Sequence, residues 1–315
     1  MGTDGIKLEN QEKHVHTPVL LAEVLDWLRC RPASAYLDGT VGQGGHAEAI
    51  LAQSTPDGIV IGLDRDQQAV EVSRTRLQKW GPRVRLMHGH YRDLRRHVES
   101  VGIHRLDGVL FDLGISSAQL ADSARGFSFQ ADGPLDMRMN SEDAATASDL
   151  VNRLPEQELA DVLYQYGEER YARRIARAVV RRRKESPLVS TAELVDVIRS
   201  AVPASYRHGR IHCATRSFQA LRIAVNRELD DLAGALSDAT HLLSPGGRLC
   251  VISFHSLEDR IAKQTLRKLS SGDEPVLSVL TKKPVVASEA ECRENLRARS
   301  AKLRVAERMV GGRAA

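Results

Sequence analysis

Tyr36-Leu37-Asp38-Gly39-Thr40-Val41-Gly42-Gln43-Gly44-Gly45-His46 reads as a β-strand that runs into a glycine-rich turn and then a helix. Four glycines between Gly39 and Gly45 leave bare backbone at that turn, so a ligand can approach the peptide N–H groups of the helix start. A turn without a ligand has no need of them all. On either side, short β-branched runs ending in Asp or Gly alternate with amphipathic segments, the signature of βαβ units around a parallel sheet. The spacing predicts strands at Ala35 to Asp38, Ile59 to Asp64, Val84 to Met87, Asp107 to Leu113 and Gly247 to Phe254. A closely spaced pair follows at Val276 to Leu280 and Ala301 to Glu307, with no obvious helix between them. A lead helix is expected with Thr17 as N-cap and Pro18 at its first position, burying Leu21, Val24, Leu25 and Leu28. The expected fold class is α/β and Rossmann-like, with an inserted all-helical domain.

The insertion follows from one long connection. More than a hundred residues separate Leu113 from Gly247, where a βαβ crossover usually takes a few dozen. Helical periodicity occurs at Thr146 to Leu154, Pro155 to Tyr166, Glu169 to Glu185 and Ser190 to Val202, without a convincing strand. The division expected is residues 1–131 and 214–315 for the α/β core, with residues 132–213 (Asp132 to Cys213) as a helical unit. Phe218, Leu221, Val225, Leu229, Leu232 and Leu236 then recur at helical spacing, as one crossover helix leading to the fifth strand.

At 315 residues and 42% hydrophobic content the chain can build one large domain and a smaller one. Cys30, Cys213, Cys250 and Cys292 form no metal-ligand spacing, and a reduced intracellular setting is expected. His208 and His212 stand four apart, but Gly209 opposes a helix and no carboxylate is near in sequence, so no metal is expected. No run of about 18 apolar residues occurs, so the chain reads as cytoplasmic, with no membrane partner. The net charge of +4 permits an anionic partner without requiring one, and a homodimer is left open.

Gly42, Gly44 and Ala47 fit G-x-G-x-x-A, and Asp64 follows where an acid binds ribose hydroxyls in dinucleotide folds. A nicotinamide oxidoreductase is therefore the rival reading. Asp38 separates the two, because it closes the first strand where the pyrophosphate of NAD would lie, and like charges repel. S-adenosylmethionine carries no phosphate and presents a sulfonium and an ammonium, which a carboxylate attracts. The methyl donor is the expected cofactor, with Asp38 and the turn at its methionine end and Asp64 on its ribose. Tyr91 packs against adenine or is an ordinary buried aromatic.

Asp112 ends the fourth strand in Phe111-Asp112-Leu113-Gly114-Ile115-Ser116-Ser117 and should face the donor. An exocyclic amine is a poor nucleophile because the ring delocalises its lone pair. Acceptors beside its N–H groups support the developing positive charge and aim the nitrogen. Asp112 is the catalytic candidate on that ground. Capping of the next turn is the competing reading, and Gln119 carries the same ambiguity.

Arg170, Arg174, Arg177, Arg181 and Lys184 follow i, i+4, i+7, i+11 and i+14, a basic ridge suited to an RNA backbone, although a charge run is more often a solvated face. Arg207, His208, Arg210, His212 and Arg216 continue the positive character, as do Arg293, Arg297 and Arg299. Phe127 and Phe129 are candidates for stacking a base, or anchors of their own loop. His255 and Glu258 either line the pocket or cap a helix. A noncatalytic RNA-binding factor that uses the donor as a signal is the third reading.

Several long strings resemble the bacterial 16S rRNA (cytosine-N4)-methyltransferase family. They are His16-Thr17-Pro18-Val19-Leu20-Leu21, Asp38 through His46, Asp112 through Ser117, Arg125-Gly126-Phe127-Ser128-Phe129, Asp132 through Met139 and Tyr166-Gly167-Glu168-Glu169-Arg170. Ala214-Thr215-Arg216, Phe218-Gln219-Ala220 and Ser253 through Arg260 complete the set, in family order, from about His14 to Arg308. The resemblance implies a class I S-adenosylmethionine-dependent fold, a donor site at Gly44, Gly45, His46, Asp64, Tyr91, Asp112 and Gln119, and a helical insert that recognises substrate. It also implies that the partner is 16S rRNA of the small ribosomal subunit and the target a cytosine of the decoding region. Cys213 and Leu296 replace prolines usual in the family, which puts local loop shape in doubt. The aromatic that follows the fourth strand in DNA amino-methyltransferases is missing, which disfavours a DNA target.

Overall fold

The computed structural model describes residues 18–310. Seven strands are present among them: β1 (Ala35–Asp38), β2 (Ile59–Asp64), β3 (Val84–His88), β4 (Leu106–Asp112), β5 (Leu243–Ser253), β6 (Leu277–Val279) and β7 (Lys302–Arg308). They form one sheet in the order β3-β2-β1-β4-β5-β7-β6. The first five run parallel, and β7 runs antiparallel to both β5 and β6. This is the Rossmann-like α/β fold expected from the strand spacing, but a short helix, Glu289–Glu294, lies between the last two strands where none was expected, because six residues are too few to show a clear period.

The first helices are α1 (Leu21–Leu28), α2 (Gly45–Gln53), α3 (Gln67–Leu77), α4 (Leu94–Ser100) and α5 (Ser117–Ala121). Between β4 and β5 follow α6 (Ala147–Arg153), α7 (Glu156–Gly167), α8 (Ala172–Arg182), α9 (Thr191–Ala201), α10 (Ala204–Arg207), α11 (Thr215–Asn226) and α12 (Leu232–Leu242). The chain ends with α13 (Ser256–Leu269) and α14 (Glu289–Glu294) around the last strands. The expected N-cap Thr17 lies outside the described residues. Pro18 precedes the helix rather than opening it, because Leu20 at φ 55° turns the chain into α1.

Alternation along the strands places the core on both faces of the sheet. Tyr36, Val60, Leu110, Cys250 and Val305 pack on one side with Val24 and Leu28 of α1 and Ile50 and Leu51 of α2. Leu37, Ile61, Val109, Phe111 and Val251 pack on the other with Leu94 and Val98 of α4 and Leu232, Leu236 and Ala239 of α12. Winding proceeds outward from β1 through β2 to β3, then reverses to β4 and β5. The crevice at the carboxyl ends of β1 and β4 is thus the switch point where such sheets bind ligands.

The helices inserted before β5 have their own apolar core, which runs from Phe127, Leu135 and Met137 through Leu163, Ile175, Val179 and Ile198 to Phe218, Leu221 and Val225. Cys213 falls inside that core, and α11 packs with α7 instead of with the sheet. The single crossover helix expected over Phe218 to Leu236 is therefore two helices. Arg227 at φ 51° ends α11, and its N–H bonds to the Ile223 carbonyl. Asn226 fixes the break by donating to the Met137 carbonyl (2.7 Å) and accepting from the Met139 N–H (2.7 Å). Periodicity alone cannot register a stop made by contacts so distant in sequence. Helix α8 is also shorter than its basic pattern: Arg170 precedes it and Lys184 follows it.

Candidate active site

One cleft opens at the switch point, with about 1090 Å³ of empty space that is continuous with solvent. Its floor is the turn after β1, with Gly39, Thr40, Val41, Gly42, Gln43 and Gly45. Glycine is required there: a Cβ on Gly39 would stand 2.6 Å from Phe111 Cε1, and one on Gly45 would stand 2.4 Å from Pro18 Cγ. His46, in the first turn of α2, is buried and places Nε2 3.7 Å from Asp112 Oδ2. Gly44 does not line the cleft. At φ 77° it caps α2 and faces Ser73 and Leu77 of α3, so its part is to shape the turn.

Asp64 ends β2 at the wall of the cleft. Its Oδ2 accepts from the Gly42 N–H (2.8 Å) and its Oδ1 from the Asp66 N–H (2.9 Å), and each oxygen keeps a second lone pair. Burial pushes its pKa up to about 6. Tyr91 also lines the cleft; its ring meets Phe111 edge-on at 5.9 Å and its hydroxyl donates to the Glu228 carbonyl (2.7 Å). Asp38 departs from expectation. It is 1% exposed, lies behind the turn instead of in the cleft, and accepts from the Thr40 N–H (3.2 Å). Burial, reinforced by Asp112 and Asp64, pushes its pKa up to about 8.

Asp112 closes β4 in register with Ile252 of β5. Its backbone N–H donates to Thr40 Oγ1 (2.7 Å), which ties the two strand ends across the switch point. The carboxyl atom Oδ1 has no hydrogen-bond partner among the described residues, so Asp112 does not cap the following turn. Ser116 does, in a reciprocal box with Gln119. Gln119 lines the cleft but is also spent on structure, donating to Asp66 Oδ2 (2.8 Å). Burial pushes the Asp112 pKa up to about 7, with Arg297 opposing and Glu258 reinforcing.

Sequence reasoning gave no role to Thr40, Arg65 and Glu228 and counted Arg297 only as part of the positive surface, yet all four line this cleft. Arg65 donates to the Asn226 carbonyl (2.6 Å) and to Asp143 (2.7 Å), joining the edge of β2 to the helical unit. Glu258 was left between two roles and fills both, since it lines the cleft while boxing the start of α13 with His255 as N-cap. Burial opposes charge on Glu258, yet His255, Arg222 and the Phe254 N–H hold its pKa below the usual carboxylate range. His255 itself is a cap and does not line the cleft. Arg297 could have been found from the reversal of the last strand: residues just before an antiparallel β7 arrive at the carboxyl edge of the parallel strands, beside Asp112.

The expected RNA-facing residues divide. Arg174, Arg177 and Arg181 stand exposed on α8, opposite its buried face of Ile175, Ala176 and Val179. Arg170 and Lys184 flank them; Arg170 stacks over Tyr171 (4.9 Å) and Tyr206 (4.6 Å), and Arg177 reaches Glu156 at 3.5 Å. Arg216 donates to the Glu168 carbonyl (2.7 Å). Phe127 is 6% exposed within the helical core, which leaves no free face for a base. Phe129 stacks on His212 at 4.7 Å and meets Phe218 edge-on at 4.9 Å, so both rings anchor their loop. Among the described residues no cluster of potential metal ligands is found and no helix is long and apolar enough to cross a membrane. Cys213 is buried, whereas Leu296, the other departure, is 66% exposed.

The sequence profile of the MraW methylase family matches residues 13–309. A ribosomal RNA small subunit methyltransferase H from Geobacter sulfurreducens is 50% identical over 307 residues, covering 93% of this chain and 99% of that protein. Proteins of the same name from Pelobacter propionicus and Heliobacterium mobile are 48% and 49% identical, each across 93% of this chain and 98% and 99% of their own lengths.

Proposed function

This chain belongs to the MraW methylase family, and on that premise we propose that it methylates the exocyclic N4 of a cytosine in the decoding region of 16S rRNA, with S-adenosylmethionine as donor. The observation that carries the choice of donor is the set of three carboxyl groups, Asp38, Asp64 and Asp112, gathered at or behind one cleft with pKa values of about 8, 6 and 7. Three carboxyl groups at one cleft attract a cation and repel a pyrophosphate as they ionise, and a bound cation promotes that ionisation. Of the arginines on the wall, Arg65 is bonded to Asp143 and Arg76 to Glu48 (2.7 Å each), which leaves Arg297 as a single cation set against three carboxyl groups.

The residues present fit such a donor. The bare turn from Gly39 to Gly45 and Asp38 behind it would hold the methionine end, Asp64 the ribose hydroxyls, and Tyr91 the adenine. When bound, S-adenosylmethionine supplies an electrophilic methyl group. Asp112 does the work toward the substrate: its carboxylate, on a side chain 22% exposed at the cleft, accepts a hydrogen bond from the amine, which aims the nitrogen and supports the positive charge it gains. A group poised near 7 is also suited to take the proton that the nitrogen loses. Thr40, bonded to the Asp112 N–H, keeps that carboxyl in register with the turn. The helical unit and its exposed Arg174, Arg177 and Arg181 are assigned to the RNA backbone, and the decoding-region target rests on the family resemblance of the motif strings.

The test is incubation of the purified protein with small subunits that lack the modification and with labelled donor, followed by nucleoside mass spectrometry of the rRNA. N4-methylcytidine is expected; label on any other atom or base contradicts the reading.

A further inference from the structure

Arg297 occupies an unusual electrostatic position. It lines the cleft, yet among the described residues no carboxylate approaches within ion-pair distance of it. Instead Nη1 donates to Ser117 Oγ (2.9 Å), Nη2 donates to the Ile115 carbonyl, and the guanidinium lies over the Phe254 ring at 5.2 Å. Two bonds to the loop and one ring face fix the fork, and a guanidinium with five N–H groups keeps donors to spare. Burial lowers its pKa, with Asp112 opposing, which is the behaviour of a cation removed from water without a full counter-charge. Asp112 lines the same cleft, with its side chain 22% exposed.

A carboxylate acceptor and a fixed guanidinium donor, not bonded to each other, therefore look into one cavity. Cytosine presents the matching edge: an amine N–H donor at N4 beside acceptors at N3 and O2. Uracil presents an acceptor at O4 and a donor at N3, and meets both groups with the wrong sign. We propose that Arg297 is the specificity-determining residue for the target base, donating to the N3/O2 edge of cytosine while Asp112 accepts from N4. This rests on the cytosine reading above and deepens it. The main competing occupant is the carboxylate of the methyl donor. Both Arg297 bonds go to the loop after Asp112 and neither to the glycine turn, which favours the base.

The test measures binding of cytidine, 3-deazacytidine and uridine by NMR titration to the protein saturated with S-adenosylhomocysteine, for wild type and Arg297→Gln. A site that bonds N3 should favour cytidine over 3-deazacytidine by about tenfold, because the analogue leaves a buried donor unpaired. In Arg297→Gln that ratio should fall toward one, with S-adenosylhomocysteine affinity within about twofold of wild type. Arg297→Lys, which keeps the charge without the fork, should recover only part of the ratio. Thermal melting of each variant controls for loss of the Ile115 and Ser117 ties. The proposal is overturned if wild type shows no saturable cytidine binding or no discrimination, if Arg297→Gln keeps the ratio, or if it loses the donor product instead. N4-methylcytidine made by Arg297→Gln with discrimination intact would sink this role alone, whereas methylation of another atom by wild type would sink the functional reading beneath it.

Discussion

Asp38 shows how a residue can be right in charge and different in place. Its position at the end of β1 made it the expected contact for the methionine end, and the structure puts it one layer back, behind Gly39 and Thr40. It acts through the field it sets up, and that makes its ionisation measurable. With folded pKa values of about 8 for Asp38 and about 7 for Asp112, both raised first by burial, the folded protein holds protons that the unfolded chain has released. Between pH 6.5 and 8 stability should therefore fall as pH rises. His90, lowered to about 4 by burial, acts with the opposite sign, but only below its unfolded value near 6.5. Thermal melts of the ligand-free protein across this range should show the decline, and Asp38→Asn should flatten it. The same ionisation governs the ligand: donor affinity should rise with pH, by up to about tenfold per unit below pH 8, and Asp38→Asn should remove most of that dependence in a calorimetric titration.

Elements differ in how plainly the sequence announced them. Strands β1 and β2 were legible to the residue because a parallel strand buried on both faces is a short apolar run with a polar stop, and Asp38 and Asp64 are those stops. The break between α11 and α12 was not, because Asn226 and Arg227 end the helix through contacts with residues 137, 139 and 223. Gly167 was seen as part of a family string, while its cause lies in packing: a Cβ there would stand 2.5 Å from the Arg216 carbonyl, where α7 meets α11. Gly167→Ala should cost about 1–3 kcal/mol, read by denaturant unfolding. On α8, the cations that the periodicity marked within the helix, Arg174, Arg177 and Arg181, all stand exposed in the structure. Replacing Arg174, Arg177 and Arg181 together by Glu should weaken binding of small-subunit rRNA and reduce the slope of log affinity against log salt by about two to three, with donor affinity unchanged.

At the scale of the molecule, helical unit and sheet meet at polar ties. Glu168, at φ 48° after α7, accepts from Ser256 (2.7 Å) and Arg260 (3.0 Å) at the start of α13, the helix whose Glu258 lines the cleft. Arg65 makes the second tie, to Asp143 and Asn226. Long-range joints of this kind leave no periodic trace, so the sequence could not foretell them. The Glu168 tie is exposed, and Glu168→Gln should raise the KM for rRNA only about two- to fivefold while leaving donor affinity alone. Everything in this architecture converges on Asp112: the turn is tied to it by Thr40, the arginine before β7 faces it, and its side chain lines the cleft. The direct measurement is single-turnover methyl transfer to small subunits by Asp112→Asn alongside its affinity for S-adenosylmethionine. A rate lower by about a hundredfold or more, with affinity within about threefold of wild type, is the predicted result; transfer at the wild-type rate would contradict it.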